Sequence, residues 1–396
     1  MIGTGNPMND LNIVIGMGVL EGPDYYTCRF IEYLRINDIA YHVVKPNDRE
    51  TYTSGEFEEF ISRPNTVVFT FNNVIFLLNK VLGNDFWKER GIPVFDYIVD
   101  HPRYYADTLY DPVCDIYVIT PDENHKDFIE KYYPDIKGVF FSPHGGSKTR
   151  EWVGFSDRKI DVLYMGDCKK AWDFPTIDIL PEGVDFFNGV LRYLLDDPGL
   201  ATEYAIEEFL KDKGLEYDKD LLLELNTKYA NYVEELVRRY YMLEAVKVLD
   251  EADIHVDIYG KEWEDKDYRF SSNICIHGRI SRNELMDRIA DARISLCFIP
   301  WFKRGCSEKN FDSMLNGCLC ISDKSEYLSS HYRDGYNIIY FDLNNPKQMA
   351  EDVKWLLANP QEAETIARRG YETAMRFDTW DMRFERITEY INKCLG

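Results

Sequence analysis

Residues 305–322 read GCSEKNFDSMLNGCLCIS, and this stretch decides the fold of the second half of the chain. Ser307 is a typical N-cap residue, and Gly317 is typical of the position just after a last helical turn. They predict one short helix followed by a buried strand. The N-terminus of a helix presents free N–H groups and partial positive charge, and Lys309 adds a full charge there. The pattern predicts a diphosphate site, with Asp312 accepting hydrogen bonds from ribose hydroxyls.

Outward from this stretch, apolar segments of strand length alternate with helical patterns along both halves of the chain. Strands separated by helices of about 10–15 residues indicate a parallel, doubly wound sheet. The sequence therefore predicts an α/β protein with two Rossmann-like doubly wound domains in series. The predicted strands are 12–15, 40–44, 66–70, 93–99, 116–119 and 138–141 in the first domain, and 160–165, 255–259, 293–299, 318–322 and 337–341 in the second.

We place the first domain at residues 1–155 and the second at residues 156–377. The strand–helix alternation of the second domain is interrupted at about residues 181–250. Apolar side chains recur there at helical spacing, which predicts a helical insertion of two to four helices. Its role stays open between packing and acceptor binding. The predicted apolar face consists of Tyr229, Val233, Leu236, Tyr240 and Leu243.

The composition fits a globular protein with a strongly acidic surface. The 69 acidic residues outnumber the 46 basic ones, and the formal net charge is -23. A broad nucleic-acid or anionic-membrane surface normally needs the opposite sign, so we expect no nucleic-acid partner. No apolar run reaches the about 18 residues that a transmembrane segment needs. The nine Cys show no disulfide or zinc spacing, which predicts reduced thiols and a cytoplasmic location.

Two groups of residues follow strands of the first domain, where open α/β sheets bind their ligands. Gly16 and Gly18 follow the first strand and allow close approach of backbone to a ligand, or form a plain tight turn. Asp100 and His101 follow the fourth strand and are suited to accept a proton or to cap a turn. The third glycine of G-x-G-x-x-G is replaced by Glu21, which argues against a nicotinamide dehydrogenase.

Further strand-end glycines stand beside His, Tyr or a cation. His144 and Gly145 lie at the end of the first domain and are predicted to be either a ligand contact or a hinge. The others lie in the second domain, where they are predicted to flank the nucleoside, with Arg279 serving phosphate or ribose. These residues are His144, Gly145, Tyr259, Gly260, His277 and Arg279.

The stretch from Lys309 to Ser322 resembles the C-terminal signature of GT-B glycosyltransferases, roughly Arg/Lys-x-Phe-Glu-Ala-Met-Ala-x-Gly followed by a buried strand. Upstream, residues 277–281 (HGRIS) and 290–292 (ADA) resemble the same family's G-x-(V/I)-S and A-D-A segments. The resemblance covers about 120 residues of the second half, in the family's order. It implies two Rossmann-like domains facing a cleft, with a C-terminal helix at 378–396 returning to the first domain.

The resemblance also assigns roles to individual residues. Asp312 takes the place of a ribose-binding Glu, Lys309 that of a cation facing the diphosphate, and His101 that of a His contacting the donor sugar. The remaining residues implied in nucleotide-sugar binding are Gly16, Gly18, Arg304, Ser307 and Asn310. Retaining members carry a Glu eight positions before the ribose-binding acid, where this chain has Arg304, so stereochemistry is not predicted. For inversion the candidate bases are His101, Asp100 and Asp24.

The expected function is therefore transfer of a hexosyl group from a nucleotide-diphosphate sugar to a glycan, protein or small-molecule acceptor, as in glycan biosynthesis. No cofactor and no metal are expected, because cationic groups can neutralise the leaving diphosphate. The Asp-x-Asp triplets Asp218/Asp220 and Asp265/Asp267 stand away from strand ends. A catalytically silent nucleotide-sugar-binding subunit stays open because of Arg304. A nucleotide-sugar epimerase is the other alternative.

Overall fold

The computed structural model describes residues 10–170, 173–181, 183–264 and 268–396, which form two units. One unit comprises Met1–Gly145 with Trp380–Gly396, and the other comprises Gly146–Thr379. The boundary follows Gly145 rather than residue 155. The Ser147 N–H donates to Asp312 Oδ1 at 2.8 Å and the Thr149 N–H to Asn316 Oδ1 at 2.9 Å, which attaches this segment to the second unit.

The first unit contains a six-stranded parallel sheet with the order β2-β1-β3-β4-β5-β6. Its central strand β3 is buried at every position, as expected for a parallel strand covered on both faces. The strand order reverses between β1 and β3, which marks a crevice at the carboxyl ends of these strands. The strands are β1 (Asn12–Gly16), β2 (Ala40–Val44), β3 (Thr66–Phe71), β4 (Val94–Tyr97), β5 (Ile116–Thr120) and β6 (Gly138–Phe141).

The helices of the first unit connect these strands, together with 3₁₀ turns at Val74–Leu78 and Pro102–Tyr105. They are α1 (Glu21–Ile36), α2 (Glu50–Thr53), α3 (Gly55–Ile61), α4 (Asn79–Leu82), α5 (Phe86–Glu89), α6 (Ala106–Leu109) and α7 (Glu123–Tyr132). The C-terminal helix Trp380–Leu395 completes this unit. Its Phe384 ring lies 4.9 Å from Phe30, which in turn lies 4.3 Å from Phe69 on β3.

The second unit repeats the architecture with a sheet of order β12-β11-β10-β7-β8-β9, again parallel throughout. Here the order reverses between β7 and β10. The strands are β7 (Ile160–Met165), β8 (Val256–Tyr259), β9 (Ile274–Ile276), β10 (Ala292–Cys297), β11 (Leu319–Ser322) and β12 (Ile339–Tyr340). Each sheet thus offers one crevice for a ligand at its carboxyl edge.

Nine helices and one 3₁₀ turn, Phe155–Asp157, occur in the described part of the second unit. They are α8 (Phe186–Asp196), α9 (Thr202–Asp212), α10 (Lys219–Lys228), α11 (Ala230–Glu251), α12 (Arg282–Asp291), α13 (Glu308–Leu315), α14 (Glu326–His331), α15 (Pro346–Ala358) and α16 (Pro360–Phe377). Ser281 and Glu284 form the predicted capping box at the start of α12. None of the helices in the described ranges has the length and apolar content needed to cross a membrane.

Four helices fill the predicted insertion, and the last of them has a different role from the others. Helix α11 leads directly into β8 and is therefore the crossover helix between β7 and β8, so the added elements are α8, α9 and α10. Of the apolar face predicted for α11, Val233 and Leu243 are buried as expected, whereas Tyr240 is 48% exposed. From Val233 the buried face continues through Val237 and Tyr241, spaced four residues apart.

Candidate functional site

The glycine loop of the first unit lies at the β1–β3 crevice. A Cβ on Gly16 would come within 3.3 Å of Ile75 N and Thr70 Oγ1, so a side chain there would crowd the crevice. Gly18 has a φ of +93°, and its N–H donates to Asp24 Oδ1 at 2.7 Å. Asp24, a candidate base in the sequence, therefore holds the loop in place through one carboxylate oxygen.

Asp100 is exposed and follows β4 within a network of three hydrogen bonds. Asn72 Nδ2 donates to Asp100 Oδ2 at 3.0 Å, and the Tyr105 hydroxyl donates to the same oxygen at 3.1 Å. The Asn72 amide is itself fixed, because its Oδ1 accepts the Val99 N–H at 2.9 Å. The carboxylate is thus oriented through one oxygen, which leaves the other oxygen for a reacting hydroxyl. Sequence reasoning missed Asn72, although it directly follows β3.

His101 is 8% exposed and has a structural contact that the sequence left as an alternative. Its Nδ1 accepts the Arg103 N–H at 3.0 Å and caps the 3₁₀ turn Pro102–Tyr105. Burial, together with the Arg103 charge, lowers the pKa of the imidazole well below its ordinary value. The ring is therefore neutral, and its proton is on Nε2. This corrects its assignment as a general base: a capping nitrogen is not available to accept a proton from an acceptor.

Asp96 lies on β4 beneath this edge and was not predicted. It has no exposed surface, and burial raises the pKa of its carboxyl to about 7, although the Asn73 N–H opposes the shift. That N–H lies 3.2 Å from Asp96 Oδ2, and Asn73 has a left-handed φ of 60°. Asp96 therefore fixes the corner that follows β3, next to the Asn72 side chain that orients Asp100.

His144 and Gly145 pack against the C-terminal helix, which corrects their assignment to nucleotide-sugar binding. The His144 ring is 3% exposed and stacks on Tyr97 at a centroid distance of 6.1 Å. Its carbonyl accepts from Arg383 Nε at 3.2 Å. A Cβ on Gly145 would lie 2.7 Å from Trp380 N and Cα, so the glycine permits close packing of this helix.

At the carboxyl edge of the second sheet, the loops after β7 and β8 are bound to each other. Gly260 packs so closely on the Gly166 carbonyl that a Cβ would overlap it. Asp167 Oδ1 accepts the Lys261 N–H at 2.9 Å and Arg279 Nε at 3.1 Å. Partial burial opposes ionisation, but these donors lower the pKa of Asp167. Asp167 was missed, although it stands at a strand end like the predicted residues.

Tyr259 and His277 form a pair of stacked rings beside this loop. Their centroids lie 4.6 Å apart with an interplanar angle of 16°. His277 Nε2 lies 2.5 Å from Asp257 Oδ1, so the carboxylate orients the imidazole. The sequence predicted these two residues near the nucleoside, and the structure places them together as a flat, partly exposed surface after β8 and β9.

The N-terminus of α13 carries the predicted cationic group. The Ser307 hydroxyl accepts the Lys309 N–H at 3.4 Å and caps the helix. The Lys309 ammonium reaches the end of the neighbouring strand, where it donates to the Met165 carbonyl at 2.9 Å. Burial lowers the pKa of Lys309, with Glu308 opposing the shift. A partly desolvated ammonium thus lies at the β7–β10 crevice, beside a helix N-terminus.

Asp312 and Asn310, on the same helix, are buried and have protein partners instead of a nucleotide. Asp312 forms an ion pair with Arg282 and accepts the Ser147 N–H. Asn310 Nδ2 donates to Ser322 Oγ at 2.9 Å. Both side chains have 0% exposure. The predicted ribose contact of Asp312 and the predicted donor contact of Asn310 are therefore wrong. Both side chains have structural roles, because they lie on the buried face of α13.

Arg304 forms a partly exposed ion pair with Glu326, whose Oε2 lies 3.0 Å from the arginine Nε. This gives it a surface partner on α14, and its predicted nucleotide-sugar contact stays a prediction. Asp218 caps α10 by accepting the Leu221 N–H at 2.9 Å, while Asp265 and Asp267 lie outside the described residues. Among the residues that the structure does describe, no three His, Cys, Asp or Glu side chains form a metal-binding group.

The second unit therefore brings together an ammonium, the positive end of the dipole of a capped helix and a crevice at the reversal of strand order. Such a site is suited to a diphosphate, whose charge is stabilised by preorganised N–H donors and cations. The first unit presents an oriented carboxylate at its own carboxyl edge. In a glycosyl transfer, a cationic site can stabilise the leaving group, and in an inverting enzyme a carboxylate can accept the acceptor's proton.

Comparisons with known proteins find a family match over part of the chain and similar folds over nearly all of it. Residues 238–389 match a family model described as glycosyl transferase-like. No similar sequence occurs among curated proteins. An α-glucosyltransferase solved with UDP and a 13-mer DNA has 13% identity, a TM-score of 0.57 and coverage of 96% of this chain and 99% of its own.

Two further solved structures cover 97% of this chain and 99% of their own. Sucrose-phosphate synthase from Thermosynechococcus elongatus has 11% identity and a TM-score of 0.53. T4 phage BGT in complex with its UDP-glucose substrate has 9% identity and a TM-score of 0.51. At such identities the likeness is one of fold. The chain therefore has the GT-B glycosyltransferase fold, and residues 238–389, most of which lie in the second unit, form a glycosyl transferase-like segment.

Proposed function

We propose that this protein is a hexosyltransferase that uses a nucleoside diphosphate sugar as donor and a glycan, a protein or a small molecule as acceptor. The observation that carries the proposal is the position of the Lys309 ammonium, 2.9 Å from the Met165 carbonyl at the β7–β10 crevice. It lies inside the glycosyl transferase-like segment. The UDP-glucose substrate of T4 phage BGT, which has a similar fold, supports this donor class.

In the proposed reaction, the bond between the anomeric carbon and the diphosphate oxygen breaks, and a bond to the acceptor oxygen forms. Negative charge grows on the leaving diphosphate. The Lys309 ammonium and the positive end of the α13 dipole stabilise this charge, which is larger in the transition state than in the bound donor. Because these groups supply positive charge themselves, we propose that transfer proceeds without a metal ion.

Asp100 is the proposed acceptor of the proton from the acceptor hydroxyl. The hydrogen bonds from Asn72 and Tyr105 both end on Oδ2, so this oxygen orients the carboxylate. His101 is neutral and caps a turn, which leaves Asp100 as the better base of the predicted pair. A carboxylate in this role is expected to contribute about 10²–10⁴-fold to the rate.

The test is release of nucleoside diphosphate from radiolabelled UDP-, GDP-, CDP- and dTDP-hexoses, with and without EDTA. One donor should be bound and consumed in the presence of EDTA. Lys309→Ala should weaken its binding by about 10–100-fold, because a charge-assisted hydrogen bond is lost. Asp100→Asn should lower turnover and leave donor affinity unchanged. Lys354→Ala, which removes an exposed lysine of α15, is the matched control.

Two results would contradict the proposal. If none of the four donors binds, the diphosphate site assigned to Lys309 is wrong. If a donor binds at wild-type strength but neither hydrolysis nor transfer to any offered acceptor occurs, the protein is a nucleotide-sugar-binding subunit and not a transferase.

A further inference from the structure

Two consecutive arginines on α11 point to different parts of the second sheet's carboxyl edge. Arg239 donates to the Cys168 carbonyl at 2.9 Å and to the Glu264 carbonyl at 2.8 Å, in the loops after β7 and β8. These bonds fix α11 beside the ends of both strands. Arg238, the preceding residue, faces the loop after β10, which is the strand on the other side of β7 from β8.

The Arg238 guanidinium lies over the Trp301 ring, with its central carbon 3.6 Å from the ring centroid. Trp301 belongs to the loop that joins β10 to α13. The nearest carboxylates are those of Glu234, at 3.9 Å, and Glu235, at 3.7 Å. Glu235 also accepts from Lys169 at 2.6 Å, so its charge is shared. The guanidinium is therefore oriented by stacking more than by its carboxylate neighbours.

This position places Arg238 beside the same crevice that Lys309 occupies. The Lys309 ammonium is bound to Met165, the last residue of β7, while Arg238 stacks on the loop that follows β10. Burial lowers the pKa of Lys309 most strongly and Glu308 opposes that shift, while the Arg238 charge lowers the pKa further, so the two cations lie within electrostatic reach. Carboxylates beside each cation offset part of the repulsion between the two like charges, and a bound anion relieves the rest.

We propose that Arg238 and Lys309 together hold the diphosphate of the donor, with Arg238 oriented by Trp301. This inference rests on the proposed function. It adds a second cation to the site, and that cation comes from the crossover helix α11, outside the β10–α13 segment whose motif predicted Lys309. The planar guanidinium suits two oxygens of one phosphate, whereas the Lys309 ammonium acts as a single point charge. A diphosphate offers both kinds of contact.

The test measures the dissociation constants of inorganic pyrophosphate, UDP, GDP, CDP and dTDP by calorimetry on the full chain. Arg238→Gln should weaken binding by about 10–100-fold, and Arg238→Lys should recover part of the loss because it restores charge without the fork. Arg192→Gln, which removes an exposed arginine on α8 in the same unit, should leave binding unchanged. Thermal unfolding of each variant verifies that the fold is retained.

The outcomes separate this inference from the proposed function. Equal affinity of wild type, Arg238→Gln and Arg192→Gln for the diphosphates overturns the role of Arg238 and leaves the transferase proposal standing. Equal weakening by Arg238→Gln and Arg192→Gln also overturns it, because a general charge effect then explains the result. Failure of the wild type to bind any of the five probes refutes the proposed function itself.

Discussion

Among single residues, Asp96 has an ionisation that its position on β4 controls. It has no exposed surface, and burial raises the pKa of its carboxyl to about 7, against about 3.9 in an unfolded chain. Between about pH 4 and pH 7, the folded state therefore binds more protons at Asp96 than the unfolded state does. The contribution of Asp96 to stability is complete below about pH 4 and is lost as the pH rises to about 7.

We expect Asp96→Asn to remove this pH dependence, because the amide keeps the shape of the carboxyl and does not ionise. Between pH 4 and pH 7, the free energy of unfolding of the variant should rise relative to wild type by up to about 1.4 kcal/mol per pH unit. Urea unfolding at several pH values measures this difference, with the exposed Asp107→Asn as control. Parallel pH profiles of wild type and Asp96→Asn would show that Asp96 is ionised without cost in the folded state.

At the scale of elements, the C-terminal helix depends on a glycine that lies far from it in the sequence. Gly145 lies against the first turn of this helix, where a Cβ would come within 2.7 Å of Trp380 N and Cα. Both contacts are with backbone atoms, so a rotamer change cannot relieve them. The helix also supplies Phe384 and Ile387 to the core of the first unit. A shift of its first turn therefore loosens that core.

Gly145→Ala should destabilise the protein by about 1–3 kcal/mol, the usual cost of inserting a methyl group into a close-packed site. The matched control is Gly22→Ala on α1, where an added Cβ meets no atom within 4 Å. Denaturant unfolding followed by tryptophan fluorescence reports on the change, since Trp380 lies at the contact. Equal stability of the two variants would mean that the helix adjusts its position without loss of packing.

At the scale of the whole molecule, the two units differ in how they use the chain. The second unit is one continuous segment, Gly146–Thr379, and it contains every residue of the proposed diphosphate site. The first unit is discontinuous, because the C-terminal helix completes it. Without that helix, large apolar side chains such as Phe30 and Phe69 would lose their cover. Exposed apolar surface of this kind opposes folding.

We therefore expect residues 146–379, produced alone, to unfold cooperatively and to bind the same nucleoside diphosphate as the full chain. Residues 1–145 alone should show no cooperative unfolding, and fusing residues 380–396 to them through a flexible linker should restore it. Circular dichroism in urea and calorimetry make the comparison. Cooperative unfolding of the 1–145 fragment without the helix would refute this dependence.

The elements that the sequence predicted best are those specified by neighbouring residues. The capping box of Ser281 and Glu284 and the start of α13 at Ser307 depend on hydrogen bonds within a few residues, so a local pattern predicts them. The strands were also predicted well, since each is a short apolar run between turn residues. On α11 the prediction was right for Val233 and Leu243 but wrong for Tyr240, because four helices pack around α11 and residue spacing alone does not show where they lie.

By itself, the sequence determined the α/β class, the two doubly wound sheets and the place of Lys309 at a helix N-terminus, because capping and hydrophobic patterning act over short distances. Only the tertiary structure decided which polar residues are free to act. Asp312 is buried against Arg282, and His101 caps a turn, whereas Arg238 comes to the β7–β10 crevice from a helix about 70 residues before Lys309 in the sequence. Burial and ion pairing depend on distant parts of the chain, and short-range patterns contain no record of them.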